Sequence, residues 1–490
     1  MSLIRPLSAA SLALILAGCA SMGHITPQSK LLDTNTLGVG HAIGGANAKL
    51  DWPKQQWWEG LNDAQLNRLV ASAIADSPSL KVAAARVRQA EAVAGIAEEK
   101  TRPDFDAKIQ INRERYPYYG TTPAPLNATW QWRSEATLAG SYDLDLWGKN
   151  RAGLVAAVDQ VHMTSAEVQM ARLTLETAIV RAYIRLSYQY DLQDLIQTSL
   201  TQREKVLAVT KTRQRAGLAT DVDVTLIETA LPASRRNLEQ NDEEITLLRN
   251  QLAALIGQGP AAGEKISRPT MTMTAVPGLP SVLPAELLGR RPDIAAQRWR
   301  IEAAAQTIKM AKANFYPNIN LLAYAGLNAF ELSNFLKGDA REFGVAPAVS
   351  LPLFAGGRLR ADLGQQTALY DIAVEQYNGT VINALSDVAN AITQVRSVQQ
   401  QTVLTQQSLA SAHKAFRLAG SAFQAGLTDS INVLNARIAL VTEQQQMAQI
   451  SARGLDTYVT LMAALGGGME PELPAATPAH AGPGAAKEHP

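Results

Sequence analysis

Two stretches of the chain that lie 209 positions apart have closely similar sequences. Residues 216–224 read AGLATDVDV and residues 425–433 read AGLTDSINV, with four of the nine positions identical. The surroundings repeat as well, and two motif pairs share an offset of 214: Ser77-Pro78 with Arg291-Pro292, and Arg102-Pro103 with Tyr316-Pro317. This pattern indicates an internal duplication, with a first repeat at residues 61–257, a Pro-rich linker at 258–284 and a second repeat at 285–468.

The N-terminus has the build of an export signal. Arg5 precedes an apolar run at residues 7–16, as in a secretory signal peptide. The run ends in LAGC at residues 16–19, and its cysteine, Cys19, is the only one in the chain. This resembles the bacterial lipobox, so we expect residues 1–18 to be removed and Cys19 to carry covalent lipid, with no other cofactor. A buried spare cysteine is the alternative. The lipidated residue would begin an N-terminal anchor and collar segment, residues 19–60.

Within each repeat, two segments alternate apolar and polar residues with a period of two, which is typical of strands with one polar face. The expected strands lie at about residues 104–112, 135–147, 318–327 and 342–354. Each run is about the 9–11 residues that a tilted strand needs to cross a bilayer. In the first repeat the polar face is expected to hold Asp104, Lys108, Asp143 and Asp145.

A long helical region follows each pair of strands. No proline occurs within residues 126–231 or within residues 353–470. A helix over residues 151–215 would be roughly 95 Å long at a rise of about 1.5 Å per residue. Such a helix needs a neighbour along its whole length, and the next helix, at residues 221–256, can supply it.

The two similar stretches are therefore expected to be the tips of helical hairpins. We call residues 215–221 tip 1 and residues 424–430 tip 2. Gly217 and Gly426 end the long helices, because glycine accepts the left-handed conformation at a helix C-terminus. Turn chemistry explains the glycines, but it does not explain two apolar residues at an exposed tip: Leu218 and Leu427. A binding role for these leucines and a purely structural turn both remain open.

The four strands of one chain are too few to form a closed β-barrel. Unpaired strand edges are not tolerated in lipid, and closed membrane barrels begin at about eight strands. Several chains must therefore share one barrel. Two copies would give eight strands with a filled interior, and three would give twelve strands with a lumen. A soluble sheet with one wet face is the alternative, which the export signal and the long helices disfavour. The predicted fold class is an α+β membrane protein.

Charge and motif content argue against other classes of function. The chain has 45 basic and 44 acidic residues, so it has no excess of positive charge that would indicate nucleic-acid binding. Its six histidines include no pair at metal-binding helical spacing, and residues 259–265 have the wrong spacing for a phosphate loop. We therefore expect neither an enzyme nor a metal site. The Pro-, Ala- and Gly-rich tail at residues 469–490 is expected to be disordered.

An ordered set of motifs covers nearly the whole mature chain. The motifs are Trp57-Trp58, LNRLV at 66–70, LLGRRPDI at 287–294, LPLFAGG at 351–357, the two Gly-Leu tips and ALGGG at 464–468. Singly each is weak, but in this order they are specific. They resemble the outer-membrane factor family, the TolC-like channels, and in particular its lipoprotein branch of the NodT/OprM type.

The resemblance implies a homotrimer in the outer membrane, with a twelve-stranded β-barrel that continues into a periplasmic α-barrel. In the family this is the exit duct of a tripartite efflux pump, joined through a periplasmic adaptor (a membrane fusion protein) to an inner-membrane transporter. The implied cargo is small molecules such as drugs or toxic organic compounds. A type I secretion channel for proteins and, less favoured, a periplasmic coiled-coil scaffold are the alternatives. The implied adaptor contacts are Arg215, Ala216, Gly217, Leu218, Ala425, Gly426 and Leu427.

The resemblance also implies a periplasmic gate just beyond tip 2. OprM-like channels are narrowed there by an apolar residue and an aspartate one turn later, and the matching positions are Ile431 and Asn435. The carboxylate is thus missing, and a ring of asparagines would constrict by size while selecting less strongly for cations. Asp221, Asp223 and Glu228 near tip 1 could supply acidity instead, or Asp221 and Asp223 could only complement the helix dipole.

Overall fold

The computed structural model describes residues 21–33, 52–272, 289–352 and 354–469, with the backbone alone at Ser430. Several sequence predictions fall outside the described residues. These are the signal peptide at 1–18, the lipid attachment at Cys19, the part of the collar at 34–51, the linker at 273–284 and the tail from residue 470.

Eight helices and four strands follow one another in the described part of the chain. They are α1 Ala64–Asp76, α2 Pro78–Glu99, β1 Asp104–Arg115, β2 Trp130–Asp143, α3 Lys149–Arg215, α4 Asp221–Leu255, α5 Pro260–Glu264, α6 Pro292–Ala313, β3 Asn318–Phe330, β4 Arg341–Ser350, α7 Gly356–Gln424 and α8 Ser430–Ala464. Short 3-10 turns lie at Trp57–Leu61, Leu332–Asn334 and Gly338–Ala340.

The two longest helices fall where the sequence lacks proline. α3 has 67 residues and α7 has 69, and each runs without interruption to a hairpin tip. None of the helices in the described ranges is both long and apolar enough to cross a membrane.

The strands form one antiparallel sheet in the order β1-β2-β3-β4, so β1 and β4 are its edges within the chain. One cross-strand row consists of Ala107, Leu138, Ala325 and Phe343. Because side chains alternate along each strand, successive rows lie on opposite faces. The face with this row also carries the exposed side chains of Phe105, Ile109 and Val345, and we call it the apolar face. The opposite, polar face carries Asp104, Lys108 and Asp143.

The end of β2 differs from the sequence expectation. The strand ends at Asp143 and not at residue 147. The Asp145 carboxylate accepts hydrogen bonds from the backbone N–H groups of Asn150 (3.1 Å) and Arg151 (2.9 Å). These bonds satisfy N–H groups at the start of α3 that have no partner within the helix. Asp145 therefore caps α3 and does not extend the polar face of the sheet, contrary to the prediction.

The other strand ends differ less. β2 begins at Trp130 rather than at residue 135, and β1 and β3 continue to Arg115 and Phe330. β4 ends at Ser350 rather than at residue 354, and Pro352, just beyond it, has no N–H with which to continue a ladder.

The described residues divide into two compact units. The strand unit comprises residues 21–32, 84–165 and 296–379, and the helical unit comprises the remainder. Both long helices contribute residues to each unit.

In the strand unit, the N-terminal segment packs along α7. A buried cluster joins α6, α7 and this segment: Ile308, Ala311, Phe315, Leu359 and Leu363, with Met22 and Ile25 against them. The Asp371 carboxylate accepts hydrogen bonds from the backbone N–H groups of Gln28 and Ser29, both at 3.0 Å. These contacts fix the described start of the expected collar segment.

In the helical unit, the core includes the tryptophan pair of the first 3-10 turn. Trp57, Trp58 and Leu61 are buried. The Tyr458 hydroxyl of α8 donates a hydrogen bond to the Trp57 carbonyl at 2.8 Å, and burial raises the pKa of that phenol to about 12. The N-terminal turn is therefore tied to the C-terminal helix by both packing and a buried hydrogen bond.

Candidate functional site

Tip 1 is a tight turn closed by backbone hydrogen bonds. Gly217 has a φ of +71°. The Leu218 N–H donates to the Arg213 carbonyl at 2.8 Å, and the Gly217 N–H donates to the Gln214 carbonyl at 2.9 Å. A left-handed residue just after the helix, with these two bonds, reverses the chain and satisfies the last helical carbonyls.

Tip 2 repeats this geometry. Gly426 has a φ of +73°, and the Leu427 N–H donates to the Ala422 carbonyl at 2.9 Å. The Asp429 carboxylate then caps α8 by accepting a hydrogen bond from the Asn432 N–H at 2.9 Å. Within the described residues, no hydrogen bond or ion pair joins tip 1 to tip 2.

Both tips present apolar surface. Leu218 is 67% exposed and Leu427 is 81% exposed in the single chain. A Cβ placed on Gly217 or Gly426 would meet nothing within 4 Å, so the turns themselves are open. Burying one such leucine stabilises a contact by about 1.5–3 kcal/mol. The tips therefore have the surface that a protein partner could cover.

The apolar surface of tip 1 continues along α4. Val222 and Leu226 lie four residues apart on one face of α4, and both are about as exposed as Leu218. Ile431 and Asn435 lie one turn apart on α8, and both are exposed. Sequence reasoning missed Val222 and Leu226, although the offset of 209 makes them the counterparts of Ile431 and Asn435.

The two acidic residues at the end of tip 1 and the start of α4 have different surroundings. Asp223 and Thr220 form a reciprocal capping box, in which the Asp223 carboxylate accepts from the Thr220 N–H and hydroxyl, both at 2.8 Å. These hydrogen bonds hold the pKa of Asp223 below its usual value. Asp221 is exposed and accepts a hydrogen bond from the Gln214 side chain. Asp223 thus has a structural use at the helix start, while Asp221 is more open to solvent.

The cations near tip 1 are also distinct. Lys211 pairs with Glu228 at 2.5 Å. The Arg215 guanidinium donates to the Thr212 hydroxyl at 3.2 Å and, within the described residues, pairs with no carboxylate. Its charge therefore remains available at the tip.

Charged side chains line the polar face of the sheet. Glu135 lies 3.8 Å from the Lys108 ammonium and 4.0 Å from the Arg133 guanidinium. Three charges on neighbouring strands thus form a polar cluster on one face, while Phe105 and Ile109 are exposed on the other. A polar face towards water and an apolar face towards lipid are what the wall of a membrane β-barrel requires.

Comparison with known protein families decides the assignment. The family model described as "Outer membrane efflux protein" matches residues 69–258 and 283–467. The chain belongs to this family. The family is one of transport proteins, and the resemblance found in the sequence motifs is confirmed.

Individual relatives support the same assignment. The fusaric acid resistance protein FusA of Burkholderia cepacia is 41% identical over 367 residues, which cover 74% of this chain and 69% of that protein. The multidrug resistance outer membrane protein MdtQ of Escherichia coli O157:H7 is 31% identical over 471 residues, or 93% of this chain and 96% of that protein.

A solved structure has the same fold. The outer membrane protein VceC of Vibrio cholerae superposes with a TM-score of 0.80 at 35% identity, covering 86% of this chain and all of that one. The fold class and the outer-membrane location inferred from the sequence are thereby confirmed. The chain is an outer-membrane efflux channel protein.

Proposed function

We propose that this chain forms the exit duct of a tripartite efflux pump, docking a periplasmic adaptor on its two hairpin tips. The observation that carries the proposal is the pair of matching turns, each with an exposed leucine, on a family member whose helices end in solvent. The duct conducts passively, without a catalytic step.

The sheet supports a shared barrel of three copies. Each chain supplies four strands and leaves β1 and β4 as edges. Edges in lipid must be paired, and three copies give twelve strands, enough for a lumen that two copies would not have. β4 of one copy then pairs with β1 of the next. The polar face with Lys108, Arg133 and Glu135 lines the lumen.

The tips support an adaptor. Leu218 and Leu427 are apolar residues held on rigid turns, which reduces the entropy lost on docking. Arg215, Ala216 and Gly217 complete the contact at tip 1, and Ala425 and Gly426 complete it at tip 2. An adaptor joins this surface to an inner-membrane transporter.

The gate lies on α4 and α8 beside the tips. In a trimer, Ile431 and Asn435 of each copy form rings that narrow the periplasmic end by size. Asp221 is the acidic residue free to face the passage. Asp223 is engaged in its capping box, so its contribution to the gate is the smaller.

The cargo is proposed to be small toxic organic compounds, including drugs. This follows from the relatives, one a fusaric acid resistance protein and the other a multidrug resistance protein. Covalent lipid on Cys19 anchors the mature chain in the outer membrane, in addition to the barrel.

The test is cross-linking from the tips. Leu218→Cys and Leu427→Cys each place a thiol at a tip, with Cys19 blocked by its lipid. We expect each variant to capture a periplasmic protein whose own sequence contains a helical hairpin, identified by mass spectrometry. The matched control is Leu336→Cys, an exposed leucine in the β3–β4 connection, which should capture none.

Failure to capture a periplasmic partner from either tip, despite correct assembly in the outer membrane, would contradict the docking role. Capture of an adaptor that belongs to a protein secretion system would support the duct role but contradict the proposed small-molecule cargo.

A further inference from the structure

The charged side chains of the strands are sorted unequally between the two faces of the sheet. By the register, the polar face holds six carboxylates and two cations: Asp104, Asp106, Glu114, Glu135, Asp143, Glu342, Lys108 and Arg133. The apolar face holds three charged strand residues, all arginines: Arg113, Arg115 and Arg341. A lipid-facing surface with positive charge alone needs a physical reason, because unpaired charges are costly there.

The arginines lie at one end of the strands. Arg113 and Arg115 are at the end of β1, and Arg341 is at the start of β4. This is the end with the strand-to-strand connections, whereas the other end leads into the helices. In a family member with its helices in the periplasm, the arginines are therefore at the level of the outer leaflet.

Tryptophans hold Arg113 in place. In the register, Arg113 is opposite Trp132 and Arg115 is opposite Trp130. The Arg113 guanidinium lies 5.8 Å from the Trp132 ring and 5.9 Å from the Trp130 ring, within cation–π distance of both. Tryptophan favours the membrane–water interface, so the ring pair marks the depth of the headgroups.

No carboxylate neutralises these two arginines. Neither Arg113 nor Arg115 forms an ion pair in the described part of the chain, and both are exposed. Glu114, between them in sequence, is on the opposite face, where it accepts a hydrogen bond from the Tyr116 hydroxyl. The guanidinium groups therefore have free donors directed to the lipid side.

We propose that Arg113 and Arg115, with Trp130 and Trp132, bind the phosphate groups of a phosphorylated glycolipid of the outer leaflet, namely the lipid A part of lipopolysaccharide. Guanidinium groups bind phosphate in a planar, two-point geometry, and the exposed rings pack against sugar and upper acyl carbons. The assignment rests on the proposed orientation of the barrel, with the strand connections outside the cell.

The experiment measures lipid binding by the purified full-length protein in detergent, using native mass spectrometry. Three probes are compared: bisphosphorylated lipid A, lipid A without its phosphates, and phosphatidylglycerol. We expect the bisphosphorylated form to bind most tightly. In the double variant Arg113→Gln/Arg115→Gln its affinity should fall about twenty-fivefold, since each charge near a membrane surface contributes about fivefold.

Arg133→Gln is the matched control, because Arg133 is near the same end of the sheet but on its polar face. It should leave lipid A binding unchanged. Equal binding of the phosphate-free form, or an unchanged affinity in the double variant, would overturn the proposal. Equal binding of phosphatidylglycerol would show a general anionic surface and also overturn it.

If the double variant does not assemble, the wild-type comparison of the three probes still decides the proposal. The assay contains no adaptor, so failure of lipid binding is distinguishable from failure of tip docking, which the cysteine cross-links report separately.

Discussion

At the scale of single residues, the tips depend on backbone conformation that only glycine adopts easily. Gly426 has a φ of +73° and no neighbour near its Cβ position, so alanine there would meet no steric contact beyond its own backbone. We expect Gly426→Ala to destabilise the turn by about 1–2 kcal/mol, the cost of the left-handed region for a residue with a Cβ. Faster amide hydrogen exchange at residues 421–427 would report it.

Gly420→Ala is the matched control, because Gly420 lies inside α7 and its Cβ position is equally open. Alanine is favoured over glycine there by about 0.5–1 kcal/mol. Exchange in this variant should be unchanged or slower. Equal acceleration in both variants would show that the left-handed conformation is not what sustains tip 2.

At the scale of elements, α1 is held by a single buried carboxylate. Asp63 is 2% exposed and caps α1 by accepting from the N–H groups of Gln65 (2.8 Å) and Leu66 (3.0 Å). Its other oxygen accepts from the Thr270 N–H at 2.8 Å, which ties the segment after α5 to α1. Burial works to raise the pKa of Asp63, but these hydrogen bonds outweigh it and the pKa lies below its usual value.

The sign of the pH dependence follows from that lowered pKa. The stabilisation from Asp63 is present above the pKa of an unfolded aspartate, about 3.9, and is lost as the pH falls through the lower folded value. Asp63→Asn replaces one acceptor oxygen with an NH2 donor, which must face either the Thr270 N–H or the N–H groups of Gln65 and Leu66. We expect a loss of about 1–3 kcal/mol at pH 7 that narrows towards pH 3, measured by urea unfolding.

Asp76→Asn is the control for this prediction, since Asp76 is an exposed aspartate at the other end of α1. It should change the free energy of unfolding by less than about 0.5 kcal/mol. A difference between wild type and Asp63→Asn that stays constant from pH 7 to pH 3 would exclude the ionised cap.

How far the elements follow from sequence depends on how local their causes are. The tips were predictable because Gly217 and Gly426 act within a few residues. The alternation of apolar and polar residues in β1 was predictable because one face of the sheet is polar. The end of β2 was not, because the charge of Asp145 looks like part of that alternation until its bonds to the first turn of α3 are seen.

Long-range contacts were beyond sequence reasoning. The hydrogen bonds from Gln28 and Ser29 to Asp371 join residues more than 300 positions apart, and no periodic pattern in the sequence predicts them. The cation–π contacts of Arg113 were missed for a related reason. Its partners become visible only when the register places Trp130 and Trp132 beside it.

For the whole molecule, we expect three copies to close one barrel through β1 and β4. These two strands are the edges of the sheet within the chain, and each carries exposed apolar side chains, Ile109 and Val345 among them. A closed ring has no free edge, so pairing must stop at a fixed number of copies.

The most direct measurement is thiol cross-linking of the variant Ile109→Cys/Val345→Cys in outer membranes, read as a ladder on a denaturing gel. Single-cysteine variants serve as controls and should give no species above two copies. We expect bands of one, two and three linked copies and none larger. A ladder that ends at two copies or continues beyond three would contradict the shared twelve-stranded barrel.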